Sequence, residues 1–168
     1  MKFSPARATT ALIGATAVCA AFGTTASAAQ PAEQRLPKAV TAWAAAWNGT
    51  DPQALGALFT TNGTYTDQGL GVTFHGRKEI AGWKARSDAL IDNIHVTVRA
   101  AYRDSDHITI KAVYAGHLKG APKPFAVPMA TLLELDNRHR IRSDQDYYAL
   151  NAVLAQSGLP ADWTPPTH

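Results

Sequence analysis

Residues 140–148 hold the clearest candidate chemistry in the sequence, because Asp144, Asp146 and Tyr148 recur there at every second position. The alternation of this segment predicts a β-strand, and the side chains of a strand alternate between its two faces. The three residues are therefore expected to share one face. The other face carries Ile141, Ser143, Gln145 and Tyr147. Carboxylates seldom lie within a sheet unless they are exposed, paired or used, so the first face is a candidate acid–base site.

The N-terminus has the pattern of an export signal. Lys2 and Arg7 precede a run of small apolar residues that ends in Ala26-Ser27-Ala28, an A-x-A cleavage pattern. We expect a secreted protein without a membrane anchor, cleaved near Ala28 or Ala29. The chain is then divided into a signal peptide at residues 1–29, a flexible tail at 30–36, one domain at 37–160 and a C-terminal tail at 161–168.

Composition excludes several function classes for the mature domain. Without Lys2 and Arg7 the net charge of +3 falls to +1, which gives no support to a nucleic-acid or anionic-membrane partner. The single cysteine, Cys19, lies in the leader, so neither a disulfide nor a thiolate nucleophile is available. The sequence has no Cys/His cluster and no H-E-x-x-H motif, and we therefore expect no metal site.

The elements that must position the acidic strand form an α+β pattern. Helices are predicted at 37–47, from 51 onward and at 78–91; short strands at 64–67 and 72–74; a turn at 60–63; long strands at 94–102, 107–118, 125–135 and 140–148; and a closing helical turn at 151–156. Helices beside an antiparallel sheet define the α+β class. A curved sheet wrapped around helices gives a cone, whose open end is an apolar pocket for a small molecule.

The order and spacing of four motifs resemble one known family. The motifs are Trp43-x-x-x-Trp47-Asn48, Gly63-Thr-Tyr-Thr-Asp67 with Phe74-His-Gly76, Ala115-Gly-His117, and Asp146-Tyr-Tyr148 with a tail ending at Gly158-Leu-Pro160. Together they resemble the SnoaL-like group of the nuclear-transport-factor-two-like superfamily. The resemblance spans nearly the whole domain and implies the cone fold, a homodimer through the outer face of the sheet, and chemistry without a cofactor.

Limonene-epoxide hydrolase, a member of that superfamily, is a useful comparison for the site. Asp146 matches the acid of its Asp-Tyr-aromatic motif, and Tyr65-x-Asp67 matches its Tyr-x-Asn with Asp in place of Asn. The positions that match its Arg-x-Asp are Val113 and Ala115. Because the arginine and the second acid are missing, the resemblance does not extend to epoxide hydrolysis.

The resemblance also implies a set of site residues. His117 shares the predicted strand face of Val113 and Ala115, which would line the cavity, and Asp146 would face it from another strand. A carboxylate beside a histidine orients the ring and raises its basicity, so Asp146 and His117 are the predicted catalytic pair. The predicted substrate contacts are Tyr65, Asp67, Asp144, Tyr148 and Trp83, with the Tyr65 hydroxyl as a donor to a developing oxyanion.

Structural roles remain open for each of these residues. Asp146 is also suited to be a buried acid that accepts a hydrogen bond from Tyr65, and His117 to lie exposed at the rim of the cone. The structural alternatives for the others are a turn acid for Asp67, a solvent-exposed acid or a partner of Arg140 or Arg142 for Asp144, and core packing for Tyr65 and Trp83.

Two functions follow from these residues, and the sequence leaves open whether the protein is an enzyme. The first is a cofactor-independent lyase, isomerase or cyclase that acts on a small apolar carbonyl or polyketide-like compound. The second is a non-catalytic protein that binds a small molecule in the same pocket.

Overall fold

The computed structural model describes residues 36–164, which fold into four helices and six strands. In chain order these are α1 (Lys38–Asn48), α2 (Pro52–Ala57), β1 (Phe59–Asp67), β2 (Val72–His75), α3 (Gly76–Leu90), β3 (Ile91–Asp104), β4 (His107–Leu118), β5 (Phe125–Leu135), β6 (Ile141–Tyr148) and α4 (Leu150–Ser157). The predicted signal peptide and residues 30–35 of the predicted tail lie outside the described residues. None of the described helices is long and apolar enough to cross a membrane.

One curved, open sheet contains all six strands in the order β2-β1-β6-β5-β4-β3. The predicted α+β cone is confirmed. The sheet differs from the predicted antiparallel one in that it contains one parallel pair of strands. The first long strand, β1, lies beside the last, β6, and the two run parallel. This pairing joins Tyr65-x-Asp67 to Asp144-x-Asp146, which lie far apart in the sequence.

The concave face of the sheet packs against α1 and α3. In α1, Val40, Trp43 and Trp47 are buried at helical spacing, as their sequence pattern predicts. The side chain of Asn48 accepts a hydrogen bond from the Val96 backbone N–H and donates one to the Val96 carbonyl. These two bonds attach the end of α1 to β3, so the Trp47 ring is held over the interior of the cone.

Two local predictions differ from the structure. Residues 60–63 belong to β1 rather than to a turn. They form an irregular stretch of the strand between Phe59 and Thr64, which pair with Ile141 and Ser143 of β6. A Cβ atom on Gly63 would lie 3.0 Å from the Ile141 carbonyl oxygen, so this glycine permits close strand contact. Ile141 is buried rather than outward-facing, because a second register shift interrupts the pairing of β5 and β6.

Helix α4 and the chain after it pack against β5 and the end of β4. A second apolar cluster there contains Leu118, Phe125, Val127, Val153 and Leu154, with Trp163 packed against it. Trp163 falls in the segment predicted to be a C-terminal tail, and its indole ring instead forms part of the domain. The apolar face of α4 thus forms one wall of the space between helix and sheet.

Candidate functional site

Two tyrosine–aspartate hydrogen bonds cross between the parallel strands β1 and β6. Asp67 and Asp146 are partners in the strand register. The Tyr65 hydroxyl of β1 donates to Asp146 Oδ2 of β6 at 2.8 Å. The Tyr148 hydroxyl of β6 donates to Asp67 Oδ2 of β1 at 2.9 Å. The Tyr-x-Asp and Asp-x-Tyr motifs are therefore two halves of one reciprocal arrangement.

The remaining carboxylate oxygens of this pair also have donors. Thr131, opposite Asp146 on β5, donates its hydroxyl to Asp146 Oδ1. Asp67 Oδ1 accepts the backbone N–H of Leu70 at 2.9 Å. Both carboxyl groups are thus held in fixed orientations by side chains and backbone from three strands and one turn.

The turn between β1 and β2 holds Tyr148 in place. The Gly71 N–H donates to the Asp67 carbonyl at 2.8 Å, which closes the turn. A Cβ atom on Gly69 would lie 2.7 Å from the Tyr148 ring, closer than real Cβ contacts. Only glycine therefore lets the ring lie flat under the turn while its hydroxyl reaches Asp67.

We expect Gly69→Ala to separate Tyr148 from Asp67 and to lower the free energy of unfolding by about 1–3 kcal/mol, the usual cost of overpacking. Urea denaturation measures the loss. Gly82→Ala in α3 is the matched control, because its Cβ would meet only the end of the Arg86 side chain at 3.4 Å and alanine favours a helix. Equal stability of the Gly69→Ala and wild-type proteins would contradict the contact.

A small cavity of about 20 Å³ adjoins the carboxyl pair. Its lining combines the polar pair with aromatic rings: Trp47, Tyr65, Asp67, Trp83, Ser87, Val96, Tyr114, Met129, Asp146 and Tyr148. A space of this size holds about one water-sized group. The cavity can therefore receive a single polar atom beside Asp146.

A larger apolar pocket of about 310 Å³ lies next to the small cavity. The two spaces share Asp67, Trp83, Ser87, Tyr114 and Tyr148. The other walls of the larger pocket are mostly apolar residues such as Leu90, Phe125, Val153 and Trp163, with the Arg86 side chain as a charged exception. This volume lies at the lower end of the range for small-molecule sites, so the site suits a compact apolar molecule with one polar end.

Burial dominates the electrostatics of the carboxyl pair. Asp146 is 3% exposed, and removal from water raises its pKa to about 7, against the opposing effect of hydrogen bonds from Thr131 and Tyr65. Burial also raises the pKa of Asp67. The pKa values of the Tyr65 and Tyr148 hydroxyls are raised by burial and then by the nearby carboxylates. At neutral pH both tyrosines are therefore hydrogen-bond donors.

Asp144 has a different position from the one predicted. It is 0% exposed and lines neither cavity. Its Oδ2 accepts the indole N–H of Trp43 at 2.8 Å, and Arg140 and Arg142 pair with other acids instead. Burial, followed by the charge of Asp146, raises the pKa of Asp144 well above its ordinary value. This residue is thus a buried acid beneath the site rather than a substrate contact.

The structure does not bring His117 to Asp146. Tyr114 lines both cavities, whereas His117 lies an odd number of positions away on the same regular strand and so faces the opposite side of the sheet. Its Nε2 atom lies 2.9 Å from the Ala121 carbonyl oxygen in the loop after β4. The predicted catalytic pair is therefore not formed, and Tyr65 and Thr131 are the side-chain partners of Asp146 instead.

The other predicted contacts do meet in one place. Tyr65, Asp67, Tyr148 and Trp83 line the small cavity together with Asp146. The sequence pattern does not single out Tyr114, Ser87, Thr131 or Trp47 as site residues, although the structure also places them at the site. The alternation of Ile108, Ile110 and Ala112, all buried, extends to Tyr114 and was the available signal for the inward face of β4. Among the described residues, no group of three or more His, Cys, Asp or Glu side chains is arranged to hold a metal ion.

Comparisons with known proteins agree with this architecture. Residues 40–143 match the SnoaL-like domain family. A protein with a ketosteroid isomerase-like fold from Catenulispora acidiphila, crystallised in complex with trimethylamine, is 66% identical, with a TM-score of 0.76 over 77% of this chain and 98% of that one. No curated protein sequence matches the chain.

More distant solved structures share the fold alone. A crystal structure from Shewanella putrefaciens, which carries the name of a SnoaL-like polyketide cyclase, is 15% identical to this chain. Its TM-score is 0.64 over 73% of this chain and 98% of that one. An epoxide hydrolase of Mycobacterium tuberculosis, similar to limonene-epoxide hydrolase, is 18% identical, with a TM-score of 0.60 over 70% and 85%. By its family match and its architecture, the chain belongs to the SnoaL-like domain family and has the cone-shaped fold of the nuclear-transport-factor-two-like superfamily.

Proposed function

We propose that this protein is a cofactor-independent acid–base enzyme, of the lyase, isomerase or cyclase type, that acts on a small apolar carbonyl compound. The observation that carries the proposal is the environment of Asp146. A buried carboxyl group with a pKa of about 7 borders a cavity that has room for one reacting group. General acids and bases work best when their pKa lies near the working pH.

Asp146 has a simple part in this chemistry. Its ionised form removes a proton from a carbon atom of the substrate, and the resulting acid returns the proton at another position or to water. Both forms are well populated near neutral pH, because the pKa of Asp146 is about 7. One carboxyl group can therefore serve as base and acid in turn without a metal or a cofactor.

The neighbours of Asp146 position it rather than react. Tyr65 and Thr131 each donate to one of its oxygens, which fixes the plane of the carboxyl group. The larger pocket holds the apolar part of the substrate, and the aromatic lining limits access of water. Exclusion of water maintains the high pKa of Asp146 on which the chemistry depends.

The test uses 5-nitrobenzisoxazole, a compact aromatic probe that reports on any base in an apolar pocket. A base removes the ring C–H proton, the C–H electron pair forms a nitrile, and the N–O bond breaks to release a coloured phenolate. We expect the full chain to accelerate this elimination far beyond an equal concentration of acetate. A rate equal to that of acetate would contradict an accessible base in the pocket.

A second candidate function is binding of a small organic amine without catalysis. The observation that favours it is the trimethylamine complex of the 66% identical relative. In this chain Trp83, Tyr114 and Tyr148 line the larger pocket together with Asp67, and aromatic faces with carboxylates attract ammonium groups.

Choline and its neutral isostere 3,3-dimethyl-1-butanol separate the two candidates. The amine function predicts that choline binds about tenfold more tightly, within the usual range of cation–π effects, and that Asp67→Asn removes the preference. Calorimetric titration at neutral pH measures both affinities. Equal affinities for the two compounds would contradict amine recognition.

Export and dimerisation belong to the same proposal. The leader pattern around Ala28 supports a secreted protein, which the N-terminal mass of the exported product would test. On the outer face of the sheet, Leu132 and Tyr147 are 40% and 41% exposed, which supports a homodimer through that face. Light scattering would test the assembly, with a monomeric mass as the contradicting result.

A further inference from the structure

Two tryptophans that line the small cavity have buried indole N–H groups without an acceptor among the described residues. Nε1 of Trp47 on α1 and Nε1 of Trp83 on α3 are both buried and lack a hydrogen-bond partner among the described residues. Trp43, by contrast, donates its indole N–H to Asp144. A buried donor without a partner costs about 1–3 kcal/mol, so two such donors at one cavity require an explanation.

The carboxylate oxygens at the same cavity each accept a hydrogen bond already. The two oxygens of Asp146 accept from Thr131 and Tyr65, and those of Asp67 accept from Leu70 and Tyr148. The small cavity is therefore lined by two residues whose indole donors lack an acceptor among the described residues. The complementary group is an atom that accepts hydrogen bonds and brings no hydrogen of its own, in a space that fits about one such atom.

We infer that Trp47 and Trp83 bind the carbonyl oxygen of the substrate through their two indole N–H groups. This inference rests on the proposed acid–base function. It names the hydrogen-bond donors that polarise the carbonyl group of the substrate in that reaction. A carbonyl oxygen accepts two hydrogen bonds and donates none, unlike an alcohol or an ammonium group. The apolar remainder of the ketone or aldehyde then occupies the larger pocket.

The same arrangement stabilises the product of proton removal. When Asp146 takes a proton from the carbon next to the carbonyl, the C–H bond breaks and its electron pair moves to give an enolate. The negative charge appears on the oxygen that faces the two indole N–H groups. Preorganised donors at the site of developing charge act more strongly in a water-excluded cavity than in solution.

The experiment follows the indole N–H signals of the 15N-labelled full chain by NMR, with assignments from single Trp→Phe variants. The probes are cyclohexanone and methylenecyclohexane, which share one shape and differ only in the oxygen atom. We expect cyclohexanone alone to move the Trp47 and Trp83 signals downfield, with Trp43 unmoved. Trp163, which lines the larger pocket, reports that both probes are bound.

Affinity provides a second readout. Trp83→Phe should weaken cyclohexanone binding about fivefold to tenfold more than it weakens methylenecyclohexane binding, the usual effect of one hydrogen bond. Equal shifts of the Trp47 and Trp83 indole signals with both probes would overturn the inference. So would a cyclohexanone shift of the Trp163 signal without shifts of the Trp47 and Trp83 signals. Such results would leave the proposed function standing if elimination of 5-nitrobenzisoxazole still required Asp146. Loss of that requirement would contradict the proposed function and, with it, the catalytic role of the two indole groups.

Discussion

Asp146→Asn is expected to lower kcat/KM for the elimination of 5-nitrobenzisoxazole by at least about 100-fold, the lower end of the contribution of a positioned general base. Asparagine has almost the same shape as the carboxyl group and can still accept from Tyr65 or Thr131, so the pocket keeps its form. It cannot take a proton. The change therefore removes the base and little else.

Asp104→Asn is the matched control for this variant. Asp104 is exposed at the end of β3, and its side chain contacts only the adjacent Ser105 hydroxyl, at 3.4 Å. The same chemical change at this position should leave kcat/KM at the wild-type value. A loss of less than about threefold in Asp146→Asn, in a folded protein, would assign the chemistry to another group.

The second large effect is on stability. In the folded protein the pKa of Asp146 rises from 3.8 to about 7, so the folded state retains a proton that the unfolded chain releases. Stability must therefore fall as the pH rises through this interval, and then level off. Because one pKa unit corresponds to about 1.4 kcal/mol, the loss from this residue approaches about 4 kcal/mol.

Asp146→Asn should remove this loss, because the amide never ionises. We expect the variant to be more stable than the wild type above neutral pH, with a difference that shrinks toward acidic pH. Urea denaturation between about pH 4 and pH 8 measures the difference. Asp144→Asn should act in the same direction, since burial also raises the pKa of Asp144 and an amide can still accept from Trp43. A difference that stays constant with pH would contradict raised pKa values.

These two expectations describe one compromise. The carboxyl group that gives the site its chemistry is costly in the folded protein, because its charge is buried without a cation beside it. A variant that is more stable and inactive would show this directly. Functional sites commonly carry such a stability cost.

The strand alternation of residues 140–148 was enough to predict that Asp144, Asp146 and Tyr148 share a face. The sequence could not show that Tyr65-x-Asp67 lies parallel to that strand, because this pairing joins the first strand to the last across the whole domain. Once the register places Asp67 opposite Asp146, both tyrosine–aspartate hydrogen bonds follow from the spacing of two in each motif.

The prediction for His117 failed for a related reason. A match to distant relatives that is wrong by one residue reverses the face of every side chain on a strand. The inward face of β4 carries Tyr114. The phenol ring of Tyr114 therefore lines the cavity, where the imidazole ring of His117 was expected. The predicted face of Asp144 is correct. Its burial depends on α1, because Trp43 of that helix packs on Asp144 and donates its indole N–H to the carboxylate.

The dependence of the elimination rate on pH tests the central claim most directly, because kcat/KM reports the ionisation of the essential base in the free protein. The account predicts that kcat/KM of the wild type rises with pH and levels off above an apparent pKa of about 7, the value for Asp146. The residual rate of Asp146→Asn should show no such step. A wild-type profile that levels off near pH 4, the ordinary range of an exposed aspartate, or a step near pH 7 that survives in Asp146→Asn, would contradict it.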